Sequence, residues 1–256
     1  MKEEYDFEVE TVDIFHQVDG VHEKVDNYVA VRNAETEDLL AIVTKKYKPV
    51  LNKILVDALK KALSDKGYTY KDEYWLEKGK RRFFMEFLLE NAETLRGDEI
   101  FPHLLLINSY DASYAETLHV TAKHPNMPYL VIGPKGKTHI KRRHVGSAEE
   151  DFGTMLQNAM DVFAEAIVEM ETWAGIGVSM DQAQAMIESI DMKKTAKATT
   201  LENYAAASDQ VLLTLVEETE KSIWTGANKK DQSGLIEYVQ WGFDQLRRAA
   251  IREKII

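Results

Sequence analysis

Apolar positions alternate with polar ones through the first half of the chain and recur every three to four residues through the second. Period two is the mark of strands and period 3.6 the mark of helices. Tyr28–Arg32 and Leu39–Thr44 are short β-rich runs joined by the polar stretch Asn33–Asp38, which predicts a hairpin. Behind Pro49, the residues Val50, Leu51, Ile54, Leu55, Ala58, Leu59, Ala62 and Leu63 fall at helical spacing, with Gly67 just past the end as a cap. Tyr68–Leu76 and Arg81–Leu89 flank Glu77-Lys78-Gly79-Lys80, a turn with glycine at a tight position. Leu104–Ser109, Leu118–Ala122, Tyr129–Ile132 and His139–Arg143 read as further strands.

The pattern changes near Gly146. Ser147-Ala148-Glu149-Glu150 has the form of a capping box, and Phe152, Met155, Leu156, Ala159, Phe163, Ala166 and Ile167 form one helical stripe. Ser179 and Gln182 cap a shorter helix through Ile190, and Leu201–Trp224 and Leu235–Ile251 supply two more. The expected fold is α+β: an antiparallel or mixed twisted sheet with one packed helix, then a helical region of about four helices. A β-rich part over 1–146 and a helical part over 147–256, packed on it, is the expected division.

The absence of cysteine excludes disulfides, thiolate metal sites and cysteine nucleophiles. The opening MKEEYDFEVE lacks the basic-then-apolar pattern of a signal peptide, and no apolar run is long enough for a bilayer. A cytoplasmic protein with no membrane partner is expected.

Charge changes the picture most. The chain carries 43 acidic and 32 basic side chains, a net charge of -11, yet no acid occurs from Thr117 to Ala148. That stretch holds Lys123, Lys135, Lys137, Lys141, Arg142 and Arg143, and also His119, His124, His139 and His144. A cationic island on an anionic chain suits an anionic ligand. Two smaller clusters, Lys45/Lys46/Lys48 and Lys78/Lys80/Arg81/Arg82, also sit at turns or strand ends. Solubilising charge at hairpin tips explains these two more simply, since Asp72, Glu73, Glu77 and Glu86 stand close by in sequence. For the island both accounts stand. Tyr47, Phe84 and Tyr129 lie beside or near the three clusters, and cations interleaved with aromatics suit single-stranded nucleic acid.

No metal or cofactor is expected. The pairs His119/His124 and His139/His144 have the wrong spacing for joint ligation on either a strand or a helix. No Gly-x-Ser-x-Gly elbow or phosphate-cradling glycine loop is present, and no catalytic residue is assigned. Asn108-Ser109-Tyr110-Asp111-Ala112-Ser113 is the most unusual polar string; it reads as a tight structured turn, with a loop presenting Tyr110 and Ser113 beside the island as the functional alternative.

That string carries a resemblance. Tyr47-Lys48-Pro49-Val50-Leu51-Asn52, Asn108 to Ser113, and Arg143-His144-Val145-Gly146-Ser147 resemble, in order and spacing, motifs of the phage/plasmid-like family of unknown function numbered nine hundred and thirty-two. The similarity spans roughly residues 25–245 on a domain-length view. The family's Arg-Val-Val-Cys-x-Asn-Thr-like segment is replaced here by Thr121–Leu130, which has no cysteine. The resemblance implies a mobile-element origin and a role near DNA metabolism, without catalytic residues.

The leading expectation is a phage- or plasmid-encoded single-stranded DNA binding protein assisting annealing or recombination. Lys135, Lys137, Lys141, Arg142 and Arg143 would contact phosphates, with His139 adding a donor. Tyr110 or Tyr129 would stack on bases, and Lys80 and Arg82 would be subsidiary contacts. The alternative is an acidic module that antagonises a host defence or DNA-processing protein. Homo-oligomerisation is compatible with either.

Overall fold

The computed structural model describes residues 3–124, 127–130, 139–142, 152–226 and 232–256. Its strands are β1 (Val9–Val18), β2 (Val21–Asn33), β3 (Leu39–Thr44), β4 (Tyr70–Glu77), β5 (Arg82–Leu89), β6 (Glu93–Leu95), β7 (Asp98–Ser109), β8 (Glu116–His124), β9 (Met127–Leu130) and β10 (His139–Arg142). Helix α1 (Asn52–Asp65) lies between β3 and β4, and α2 (Phe152–Ala174), α3 (Met180–Glu188), α4 (Lys194–Ala206), α5 (Leu212–Gly226) and α6 (Gln232–Arg252) follow. The fold is α+β, and its sheets are antiparallel: one ordered β1-β2-β3, the other β10-β8-β7-β5-β4 with β6 on β7 and β9 on β8.

The chain divides into two compact units, each built from three segments. One comprises Met1–Glu90, His103–His119 and His139–Ala159; the other comprises Asn91–Pro102, Val120–Thr138 and Met160–Ile256. The boundary expected near Gly146, and the capping box at Ser147, lie outside the described residues.

In the first unit, β5 is buried on both faces. Phe83, Met85, Phe87 and Leu89 are buried on one, and Phe84 is buried on the other. Trp75 stacks on it with ring centroids 5.1 Å apart. Helix α1 buries Leu55, Val56, Leu59 and Leu63, each contributing about 1.5–3 kcal/mol of apolar transfer. Lys60 ties α1 to Asp72 of β4 at 2.6 Å. The β4–β5 turn needs three successive positive φ angles, at Lys78, Gly79 and Lys80, and only the glycine adopts that region without strain.

Strand β1 was not expected. Its signal was the Asp19-Gly20 pair, whose positive φ values of 49° and 82° make the tight turn that suits right-twisted strands. A register shift between Asp13 and Phe15 breaks the alternation that would have revealed it.

In the second unit the long helix expected over Leu201–Trp224 is two helices. Residue Ala207 is extended, and Asp209 accepts a hydrogen bond from the Thr214 hydroxyl at 2.7 Å while pairing with Arg96. Those contacts fix a corner that local composition does not encode. Ser179 and Gln182 form the reciprocal capping box their spacing predicts. Tyr204, its phenol pushed up to about 12 by burial, donates to the carbonyl of Val178 at 2.7 Å. Gly242 lets α6 approach α5: a β-carbon there would stand 2.3 Å from Ile223 Cδ1. Among the described residues no helix is long and apolar enough to cross a membrane.

Candidate functional site

Two loops of the first unit meet: Tyr47 to Asn52, which leads into α1, and Asn108 to Tyr114, which leaves β7. The turn holds itself first. The Ser109 hydroxyl donates to the carbonyl of Tyr114 at 2.9 Å and accepts the Tyr114 N–H at 3.0 Å. Asp111 accepts from the backbone N–H of Ser113 at 3.0 Å and from the Ser113 hydroxyl. These are the local side-chain to backbone bonds expected of an Asn/Ser/Asp-rich turn.

The other contacts are long-range. Tyr47 donates its phenol proton to the carbonyl of Ser109 at 2.5 Å. Asn108 donates from Nδ2 to the carbonyl of Val50 at 2.9 Å and to Asn52 Oδ1 at 2.8 Å. The Tyr110 phenol oxygen accepts the N–H of Asn52 at 3.0 Å. Leu51, the residue capping α1, offers no side-chain hydrogen bond, so Tyr110 supplies the cap from another element. Asn108 is fully buried and Asn52 nearly so; Asn52 Nδ2 and Asn108 Oδ1 have no hydrogen-bond partner in the described structure.

Arg82, at the start of β5, closes the outer side of the turn. Its Nε donates to Asp111 Oδ2 at 3.3 Å, and its guanidinium lies 5.1 Å from the centre of the Tyr114 ring. Burial alone would raise the Asp111 carboxyl. The hydrogen bonds from Ser113 and the Arg82 charge outweigh it and hold the group below the ordinary carboxylate range. Burial, reinforced by the Asp111 charge, pushes the Tyr47 phenol well above its ordinary value. Burial does the same to Tyr110.

Two of the expected binding residues lie within this junction. Tyr110 is 1% exposed and packed with Phe7, Val31, Leu40 and Val43. Arg82 pairs with Asp111 and stands over the Tyr114 ring. Lys80 reaches solvent but pairs with Glu4 at 3.0 Å. The carboxylates that answer these cations, Glu4 and Asp111, are not the ones nearest to them in sequence.

For the cationic island, Lys135, Lys137 and Arg143 lie outside the described residues. Tyr129 falls on β9, and His139, Lys141 and Arg142 on β10, the terminal strand of its sheet. The β10–β8 register sets His139 opposite His119, Lys141 opposite Thr117 and Arg142 opposite Glu116. Glu116, the acid just before the acid-free stretch, is thus the register partner of Arg142. Sequence reasoning missed Asn52, whose pairing with Asn108 joins the two motifs; both residues belong to the quoted strings, which was the available signal.

The structure defines an α+β protein in which an Asn-Ser-Tyr-Asp-Ala-Ser turn is locked to the loop entering α1. The chain belongs to the family described as a domain of unknown function, DUF932, whose model matches residues 39–235. The matched span contains both loops and leaves β1 and β2 outside it. No curated protein and no solved structure matches the chain.

Proposed function

We propose that the protein binds single-stranded DNA through the segment Lys135–Arg143 and serves annealing or recombination on a phage or plasmid. The carrying observation is charge segregation: six cations and no acid from Thr117 to Ala148 in a chain of net charge -11. The position of β10 supports the reading, because among the described residues it is the terminal strand of its sheet, with one side carrying no strand partner. Lys135, Lys137, Lys141 and Arg143 contact phosphates, His139 adds a donor and Tyr129 offers a ring for stacking. Arg142 on β10, in register with Glu116, contacts a phosphate as well.

The test is binding of a labelled poly-thymidine oligonucleotide across a salt series, with the duplex as comparison. Preference for the single strand is expected. Replacing Lys135, Lys141 and Arg143 by alanine lowers the slope of log affinity against log salt by about 2, at about 0.7 per phosphate released. An unchanged slope, or retention of a host polypeptide but no oligonucleotide after nuclease treatment, overturns the reading.

A further inference from the structure

Helices α2 and α6 flank an open cavity of about 430 Å³ near their carboxy-terminal ends. Each helix lines it with residues one turn apart, Glu169 and Trp173 on α2 and Arg247 and Ile251 on α6. Beyond α6 the chain turns back. Lys254 has a φ of 56° and the Ile255 N–H donates to the Ala250 carbonyl at 2.9 Å, a helix ending that brings Ile256 to the same cavity. Trp173, 3% exposed, packs 5.4 Å from the Phe243 ring, whereas Ile251 and Ile256 are 54% and 40% exposed. An apolar lining with a few polar groups, in a space of about 300–1,000 Å³, is what small-ligand sites have in common. None of these residues belongs to the segment proposed to bind DNA, and Arg247, Ile251 and Ile256 lie beyond the span that the family model matches.

The polar part of the lining says what fits. Arg247 donates from Nε at 3.1 Å and from Nη2 at 2.9 Å, both to Glu169 Oε1. Arg247 Nη1 and Glu169 Oε2 make no hydrogen bond among the described residues. The Thr172 hydroxyl is already given to the Val168 carbonyl at 3.0 Å. The cavity therefore offers a donor and an acceptor on neighbouring side chains whose charges cancel. An anion entering it is repelled by Glu169 and a cation by Arg247. A neutral group with adjacent N–H and C=O answers both at once.

We propose that this cavity binds a neutral planar ring system bearing a carboxamide or lactam. The rings lie against Trp173 and the isoleucines, with the N–H on Glu169 Oε2 and the C=O on Arg247 Nη1.

Calorimetric titration of the full chain with naphthamide, naphthoate and naphthylmethylammonium tests this. Naphthamide should bind about tenfold more tightly than either ion. Glu169→Gln should shift the preference to naphthoate, and Arg247→Gln to the ammonium, because each leaves one charge unanswered. Thr172→Trp, which fills the cavity and keeps both charges, should abolish binding of all three without lowering the thermal transition. Guanosine, whose base carries the same N–H and C=O edge, separates the two sources. Its binding assigns the site to a nucleobase lactam, and its exclusion beside bound naphthamide assigns it to a carboxamide. Failure of both naphthamide and guanosine to bind overturns the proposal. So does a wild-type preference for either ion, or a naphthamide affinity that all three variants leave unchanged.

Discussion

The phenol oxygen of Tyr110, at the end of β7, accepts the first N–H of α1, that of Asn52, at 3.0 Å. An aromatic residue expected to face a ligand instead completes a helix terminus. Removing the hydroxyl alone separates the two roles. Tyr110→Phe keeps the ring among Phe7, Val31, Leu40 and Val43 but leaves the Asn52 N–H without its acceptor. The expected cost is about 1 kcal/mol, the size of a lost cap, or about 2–4 °C in melting temperature. Binding of poly-thymidine should not change. A fall in affinity without a fall in stability would restore the stacking role.

Asn108 is more demanding. Its Nδ2 serves two acceptors, the half-buried Val50 carbonyl and the buried Asn52 Oδ1, and truncation takes this donor from both. Asn108→Ala should cost about 2–4 kcal/mol, read as a lower urea midpoint. Asn108→Asp keeps the shape but replaces the donor with an acceptor facing two oxygens, and should be at least as damaging. A loss below 1 kcal/mol for both would show that the loops hold together without this amide.

Parts of this arrangement were legible locally and parts were not. LLAIVT at Leu39–Thr44 is bounded by polar residues, and the strand found there has the expected ends. Pro49 opened the expected helix, yet α1 begins at Asn52, where Tyr110 from another element accepts the first N–H. The run of alanines before Ser208 favours continuing a helix. Its interruption depends on Arg96, which reaches Asp209 from 113 residues away. Burial of Tyr110 follows from four side chains on other elements, and no window of sequence around Asp111 contains them. Local chemistry thus specified the turn, while the partners that make it a fastening came from topology.

The acid limb of stability should depend on Asp111. Its folded carboxyl lies below the ordinary range, so its contribution is complete above the unfolded value of about 3.9 and is lost as pH falls through the folded one. The stability difference between wild type and Asp111→Asn should therefore be constant at neutral pH and shrink in acid. A difference that does not vary with pH would mean that the carboxylate's charge does no work there.

The alkaline limb has the opposite sign. The phenols of Tyr47 and Tyr110 are raised by burial, so the folded state retains protons that the unfolded chain releases from pH about 10 upward. Their contribution is complete below that value and is lost as pH rises, because the unfolded state then binds fewer protons. Unfolding followed by tyrosinate absorbance should show these two phenols ionising together with loss of structure rather than before it. Tyr47→Phe should flatten the alkaline decline while costing about 1 kcal/mol at neutral pH, through the missing bond to the Ser109 carbonyl. Ionisation of either phenol well before unfolding would mean that water reaches the junction between the two loops, and the fastening would then be looser than its hydrogen bonds imply.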